Sequence, residues 1–313
     1  MNHTRLLSCT ALLLAATACT PDVAVPVAEP ATPAPSAATI DSILAAPIPD
    51  DRRAAMEQQL AEARAALAAA PEDPDALIWV GRRQAYLGDF RGAIATFTEG
   101  ITRFPTDARF RRHRGHRYIT TRQFDLAIAD FTEAAKLIAG QDDVVEPDGQ
   151  PNARGIPTST LQFNIWYHLG LAHHLRGEWN EALYAYERCL AVSKNPDAAV
   201  ATGYWMYLTA RRAGDTARAQ RILAMAPLDA EIIENTAYQL LLRYFAGLEQ
   251  RSAVVPADGD AIGDATLAYG RAVFDLVQGV DTSAAAFQRI VDGAGSRAAF
   301  GYIAAEAELA RRR

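Results

Sequence analysis

The chain has 313 residues, 50% of them hydrophobic and 22% charged, the balance of an ordinary globular protein. Its formal net charge of −6 argues against general affinity for nucleic acid or anionic lipid, and no nucleic-acid partner is expected. That length suits two compact domains or one repeat array, which grows without starting a new core.

Residues 1–19 read as an export signal. Arg5 supplies the positive start, and Leu6 to Ala16 is an apolar run too short to span a bilayer. The run ends in Ala16-Thr17-Ala18-Cys19, small residues directly before a cysteine. This resembles the lipobox of bacterial lipoproteins, in which the cysteine is lipidated and becomes the new N-terminus. The resemblance implies a bacterial envelope protein held to the membrane through a lipid on Cys19. Thr20 in place of Asp resembles lipoproteins sent on to the outer membrane, facing the periplasm. Ala16-x-Ala18 also suits ordinary cleavage, which leaves a soluble periplasmic protein as the alternative. Of three cysteines, Cys9 leaves with the signal and Cys19 is the anchor. Cys189 remains on an apolar helical face and reads as a small buried hydrophobe.

Residues 20–39, rich in Pro and Ala, read as an extended tether reaching up to ~60 Å. The capping-helix region follows at 40–70, with Leu60 and Leu67 spaced for one face. Leu77 to Pro105 then reads as two helices joined by a turn at Leu87-Gly88-Asp89. Gly81, Ala93 and Gly100 are small where the helices must touch, and Phe90, Phe97 and Ile101 fill the space beside them. The pattern recurs 34 residues on, from Gly81 to Gly115, Phe90 to Phe124, Ala93 to Ala127 and Phe97 to Phe131.

A 34-residue period with two helices per unit resembles the tetratricopeptide-repeat family. The resemblance implies an all-α fold, a right-handed α-solenoid of antiparallel helix pairs. Residues 71–140 hold the first two repeats. The third returns at an offset of 55, from Gly115 to Gly170, Phe124 to Trp179, Ala127 to Ala182 and Phe131 to Tyr186. An insertion of about 21 residues therefore falls between the second and third repeats, at 141–160. Its segment Pro151 to Pro157 suggests a folded loop of functional interest. Residues 161–233 hold repeats three and four, the fourth at an offset of 37 and without the small residue at the helix crossing. Residues 234–313 read as degenerate helical repeats with a C-terminal capping helix. A helix is expected over Ala230 to Phe245 and a closing one over Arg297 to Arg313.

In this family the first helix of each pair lines a groove that receives a peptide or partner helix. By that resemblance the groove residues are Asp75, Ile78, Arg82 and Ala85, then Arg109, Arg112, His116 and Ile119, then Asn164, Tyr167, Leu171 and His174. The subset that clamps a C-terminal carboxylate places Lys and Asn where this chain has Ile78, Arg82, His113 and His168, so that specificity does not carry over. The densest chemical signal is Arg109 to Arg117, RFRRHRGHR, with five arginines and two histidines. Two readings stand side by side. The patch seats an acidic partner, or it pairs internally with Asp125, Asp130 and the acids at 142–148.

His113, His116, His168, His173 and His174 could gather across neighbouring helices, but no HExxH or close Cys/His set is present, and no metal site is assigned. There is no GxSxG elbow, Gly-rich phosphate loop or CxxC, so neither a catalytic residue nor a cofactor is assigned. The leading expectation is a non-catalytic, protein-binding or scaffolding lipoprotein. Its rival is a small-ligand or metal-binding protein, even an enzyme, with its site at the insertion and the Arg/His-rich helices.

Overall fold

The computed structural model describes residues 48–255, 260–280, 282–293 and 297–312, so the expected signal, Cys19, the tether and Arg313 lie outside it. Every regular element among the described residues is a helix. In chain order they are α1 (Asp50–Ala69), α2 (Pro74–Tyr86), α3 (Phe90–Arg103), α4 (Ala108–Thr120), α5 (Phe124–Leu137), α6 (Leu161–Arg176) and α7 (Trp179–Val192). Then come α8 (Pro196–Arg212), α9 (Thr216–Met225), α10 (Thr236–Phe245), α11 (Ala261–Val277), α12 (Ser283–Asp292) and α13 (Phe300–Ala310).

Local chemistry starts these helices where the sequence says it should. Asp73, Asp89, Asp107, Thr160, Asn195 and Asp215 each accept a hydrogen bond from a first-turn N–H. Such caps satisfy donors that a helix start leaves without an intrahelical partner. Consecutive helices pack as pairs, α2 on α3, α4 on α5, α6 on α7 and α8 on α9. Three of these crossings share one device. A Cβ added to Gly81 would lie 2.5 Å from the Phe97 ring, one on Gly115 2.9 Å from Phe131, and one on Gly170 2.6 Å from Tyr186. Only a glycine lets the backbone sit directly on the aromatic ring. The fold is therefore an all-helical solenoid of paired helices, with a long insertion between the second and third pairs.

The insertion leaves α5 and is pinched at its base by an antiparallel bridge between Val145 and Thr160. The Asn152 side chain accepts from the N–H groups of Arg154 and Ile156, which folds the tip into a compact turn. Residues 147–158 then lie across the face made by the first helices. Arg82 Nη1 donates to Pro147 O (2.7 Å) and Arg83 Nη1 to Gly149 O (3.2 Å) on one side. Thr158 and Asn152 both donate to Glu234 at 2.6 Å on the other.

Two expectations for the C-terminal part need correction. The helix expected over Ala230 to Phe245 begins only at Thr236. The buried Asp197 carboxylate accepts from the N–H groups of Ile233, Glu234 and Asn235, and holds that stretch as a loop. The closing helix spans Phe300–Ala310, and it returns to pack on α6 as well as on α11 and α12. Arg122 pairs with Glu306 (2.7 Å), and Arg212 with the buried Glu308 (2.9 Å), which fixes α13 on the earlier helices.

Candidate ligand cavity on the inner face

The roofing insertion and the returning helix convert an open groove into a cavity of about 360 Å³. Helix α2 contributes Arg82, Ala85 and Tyr86; α4 contributes Arg112, His113, His116 and Arg117; α6 contributes Phe163, Asn164, Tyr167 and His168. Glu146, Pro147, Asp148, Thr158 and Ser159 come from the insertion, Glu234, Asn235 and Tyr238 from the stretch around the start of α10, and Phe300 from α13.

The centre of the site is one ion pair. Arg112 Nε lies 3.0 Å from Glu146 Oε2, and both side chains are buried. Asn164 Nδ2 donates to the same oxygen at 2.8 Å. Glu146 Oε1 lies 3.3 Å from His113 Nε2. Neither the Arg112 Nε–H nor Glu146 Oε1 is aligned for a hydrogen bond, so two buried polar atoms keep unspent capacity. Because Arg112 Nη1 donates to His113 Nδ1 at 3.0 Å, neutral His113 carries its proton on Nε2, facing Glu146.

The three imidazoles of the cavity are held neutral. Burial pushes His113 well below its usual range, and the positive charges of Arg112, Arg82 and Arg117 push it further. His116 is lowered by burial first and by Arg117 next. His168 falls to about 3 through burial and Arg112, although its Nδ1–H donates to Asn164 O at 2.6 Å. The His116 and His168 rings lie 4.6 Å apart, and Phe300 contacts both. Arg117 is brought down to about 10, by burial first and then by the neighbouring Arg112.

Of the twelve expected groove residues, Arg82, Ala85, Arg112, His116, Asn164 and Tyr167 line this cavity. The other six do not, and of these Ile119 is fully buried and Asp75 pairs with Arg109. Ile78, at 5% exposure, belongs to the core of the first pair. Arg109 is tied to Asp107 and Asp75. Leu171 and His174 are fully buried, because α8 packs on α6 over the surface they were expected to present and Tyr269 of α11 reaches His174. His174 Nδ1 donates to Thr209 Oγ1 (2.8 Å), and its Nε2 accepts from the Tyr269 hydroxyl (3.0 Å), a closed structural arrangement. Most of the arginine patch is also paired internally. Arg114 grips Asp130 with two 2.7 Å bonds, and Arg111 donates to Pro105 O. Of the insertion's acids only Glu146 reaches the patch; Asp143 instead accepts from Thr160 and Gln162.

The residues the sequence did not single out for the groove are Arg117, Glu146, Phe163, Tyr238 and Phe300. Arg117 stood in the patch, but Arg112 and Arg114 equally lack an acid at helical spacing, so nothing in the sequence set it apart. Phe300 carried none, since its role depends on a helix returning from far along the chain. Among the described residues no group of three His, Cys, Asp or Glu is placed to hold a metal ion, and no helix is long and apolar enough to cross a membrane. A second, more apolar hollow of about 720 Å³ lies between α5, α6 and α7, beside the exposed Tyr184.

A tetratricopeptide-repeat family model matches residues 163–196, the third helix pair. The chain thus carries a tetratricopeptide repeat within an all-helical solenoid. No curated protein matches it. One similar solved chain comes from a structure of Naa15/Naa10 bound to HypK-THB, at 15% identity and a TM-score of 0.37. The match covers 88% of this chain and 34% of that one, so this chain spans about a third of its length.

Proposed function

We propose that this chain is a non-catalytic binding module of the bacterial cell envelope that recognises a protein or peptide partner at its roofed cavity. The observation that carries the reading is the convergence of Arg82, Arg112 and Arg117 on a cavity whose buried lining holds one carboxylate, Glu146. Asp148 and Glu234 also line it but are exposed at the rim. The tetratricopeptide match adds support, because such repeats generally serve as protein-binding scaffolds. Proton transfer suits the site poorly. Its imidazoles are weak bases, and its buried carboxylate is held in an ion pair. With the insertion and α13 across the groove, the partner offers an anionic group to the mouth instead of laying a whole helix inside.

Photo-crosslinkers at Asp148 and Asn235, on the mouth, are expected to capture the partner in intact envelopes. A crosslinker at Tyr184, on the apolar hollow, is expected to capture none. Equal capture from Tyr184 would move the docking surface away from the cavity. For the anchor, the support is Arg5, the apolar run and Ala16-Thr17-Ala18-Cys19. Cys19→Ser is expected to release the protein from the membrane fraction, and unchanged fractionation removes the lipid from the proposal.

A further inference from the structure

We propose that the cavity is a phosphate site, taking one compact phosphate dianion between Arg117 and Arg82 as free phosphate or as a small phosphomonoester. The inference rests on reading this cavity as the recognition site, and adds the chemistry of the group that enters.

The argument begins with charge. Arg112 is compensated by Glu146. Arg82 bonds only neutral acceptors, the Pro147 carbonyl and the Tyr86 hydroxyl at 3.2 and 3.3 Å. The Arg117 side chain makes no hydrogen bond or ion pair among the described residues; its guanidinium lies 5.6 Å from the Phe90 ring centre. The rim acids are engaged with the roof, Asp148 with the Gln150 N–H and Glu234 with Asn152 and Thr158. Two guanidinium charges therefore stand without a carboxylate. Uncompensated cations in a partly desolvated site are costly, and a bound anion removes that cost.

Geometry then selects the anion. Arg82, Arg112 and Arg117 all line this one cavity, as does Tyr86, which bonds Arg82, so the positive charges face a single enclosed space. A dicarboxylate carries its two charges at separate ends. A phosphate dianion concentrates them on one tetrahedral group with three strong acceptor oxygens. The Arg117 guanidinium has paired N–H donors for two of those oxygens, and Arg82, with three N–H groups already bonded to Tyr86 and Pro147, keeps one on each of Nη1 and Nη2. His116, whose ring has no hydrogen bond among the described residues, lines the same space and can donate to the third. The remaining volume, walled by Phe163, Tyr167 and Phe300, leaves room for a small ester substituent.

The test is calorimetric titration of the whole chain, in phosphate-free buffer, with inorganic phosphate, glycerol phosphate and succinate. Saturable binding of one phosphate probe is expected, with succinate weaker. Tighter inorganic phosphate identifies the free ion as the source, and tighter glycerol phosphate identifies an ester. Arg117→Ala is expected to weaken binding by about tenfold or more, as loss of a charge-assisted contact. If that variant does not fold, Arg82→Ala replaces it with the same expectation. No binding of either phosphate probe at about 10 mM, a level that would still reveal contacts worth only a few kcal/mol, overturns the assignment. So does succinate binding tighter than both, or undiminished binding by the folded variants. Cross-linking at the mouth that persists without phosphate binding overturns the phosphate assignment alone. Phosphate binding without any cross-link overturns the partner reading alone.

Discussion

Arg122 adopts a left-handed backbone, φ 60°, and its guanidinium holds Glu306 of the last helix at 2.7 Å. It occupies the turn position filled by Gly88, Gly177 and Gly214 in the other pairs, all at positive φ. Among the described residues only Arg122 keeps a side chain in a conformation that costs a non-glycine residue roughly 1–2 kcal/mol. The same guanidinium also donates to Arg297 O at 2.8 Å, so the strained turn is what ties α13 to the second pair. Arg122→Ala loses the tie and keeps the strain, whereas Arg122→Gly loses the tie and relieves it. Arg122→Gly is therefore expected to be more stable than Arg122→Ala by about 1 kcal/mol. Urea unfolding midpoints measure the difference, and equal midpoints would show that the turn is unstrained.

The helix crossings make a second contrast. At Gly170 an added Cβ would meet three atoms of the Tyr186 ring at 2.6–2.8 Å, and Tyr186 is fully buried with nowhere to move. At Gly203, mid-way along α8, the nearest atom is Leu242 Cδ1 at 3.7 Å, an ordinary contact. Ala gains nearly 1 kcal/mol over Gly in a helix interior, and overpacking costs about 1–3 kcal/mol. Gly203→Ala should thus raise the thermal midpoint, while Gly170→Ala should lower it. A rise at both positions would mean that the third crossing has slack.

Those crossings explain what the sequence could reveal. The first three pairs each meet through a small residue facing a ring, a local constraint repeated along the chain, so Gly81, Gly115 and Gly170 could be aligned without a structure. The insertion's place was legible for the same reason, as a break in that spacing. Its course was not, because it is held by Arg82 and Arg83 before it and Glu234 after it, contacts without periodicity. Leu171 and His174 looked like groove residues because only their own helix was considered. The groups that close over them, helix α8 and Tyr269 of α11, come from later in the chain. The site's arginines were visible as a cluster, but which one lacks a carboxylate depends on where the roof places Glu146.

Three buried histidines and the half-buried His116 make stability depend on pH. His113, His116, His168 and His174 all sit below the ordinary value of 6.5 in the folded chain, each chiefly through burial. As pH falls through 6.5 the unfolded chain takes up protons that the folded chain refuses. The stability contributed by keeping these rings neutral is complete above that pH and is lost progressively below it. Each ring contributes a slope of up to about 1.4 kcal/mol per pH unit. Urea midpoints should therefore drop between pH 7.5 and pH 5, and His174→Gln should make the drop shallower. A flat profile over that range would show that the rings accept protons in the folded state.

The final prediction concerns the ion pair beneath the roof. Arg112 and Glu146 have side-chain exposures of 11% and 7%, so neither charge is well hydrated. Removing the carboxylate in Glu146→Ala leaves Arg112 uncompensated beside Arg82 and Arg117, and leaves the Asn164 amide only Ser159 Oγ as acceptor. Breaking a buried pair from one side costs about 3–5 kcal/mol, while replacing both members with apolar residues is often neutral. Glu146→Ala should thus be severely destabilised, and Arg112→Met with Glu146→Leu should recover most of the loss. Denaturant unfolding of the two variants and the wild type measures both steps. If the double variant is as unstable as Glu146→Ala, the carboxylate matters for seating the insertion through Asn164, and charge compensation is not its role.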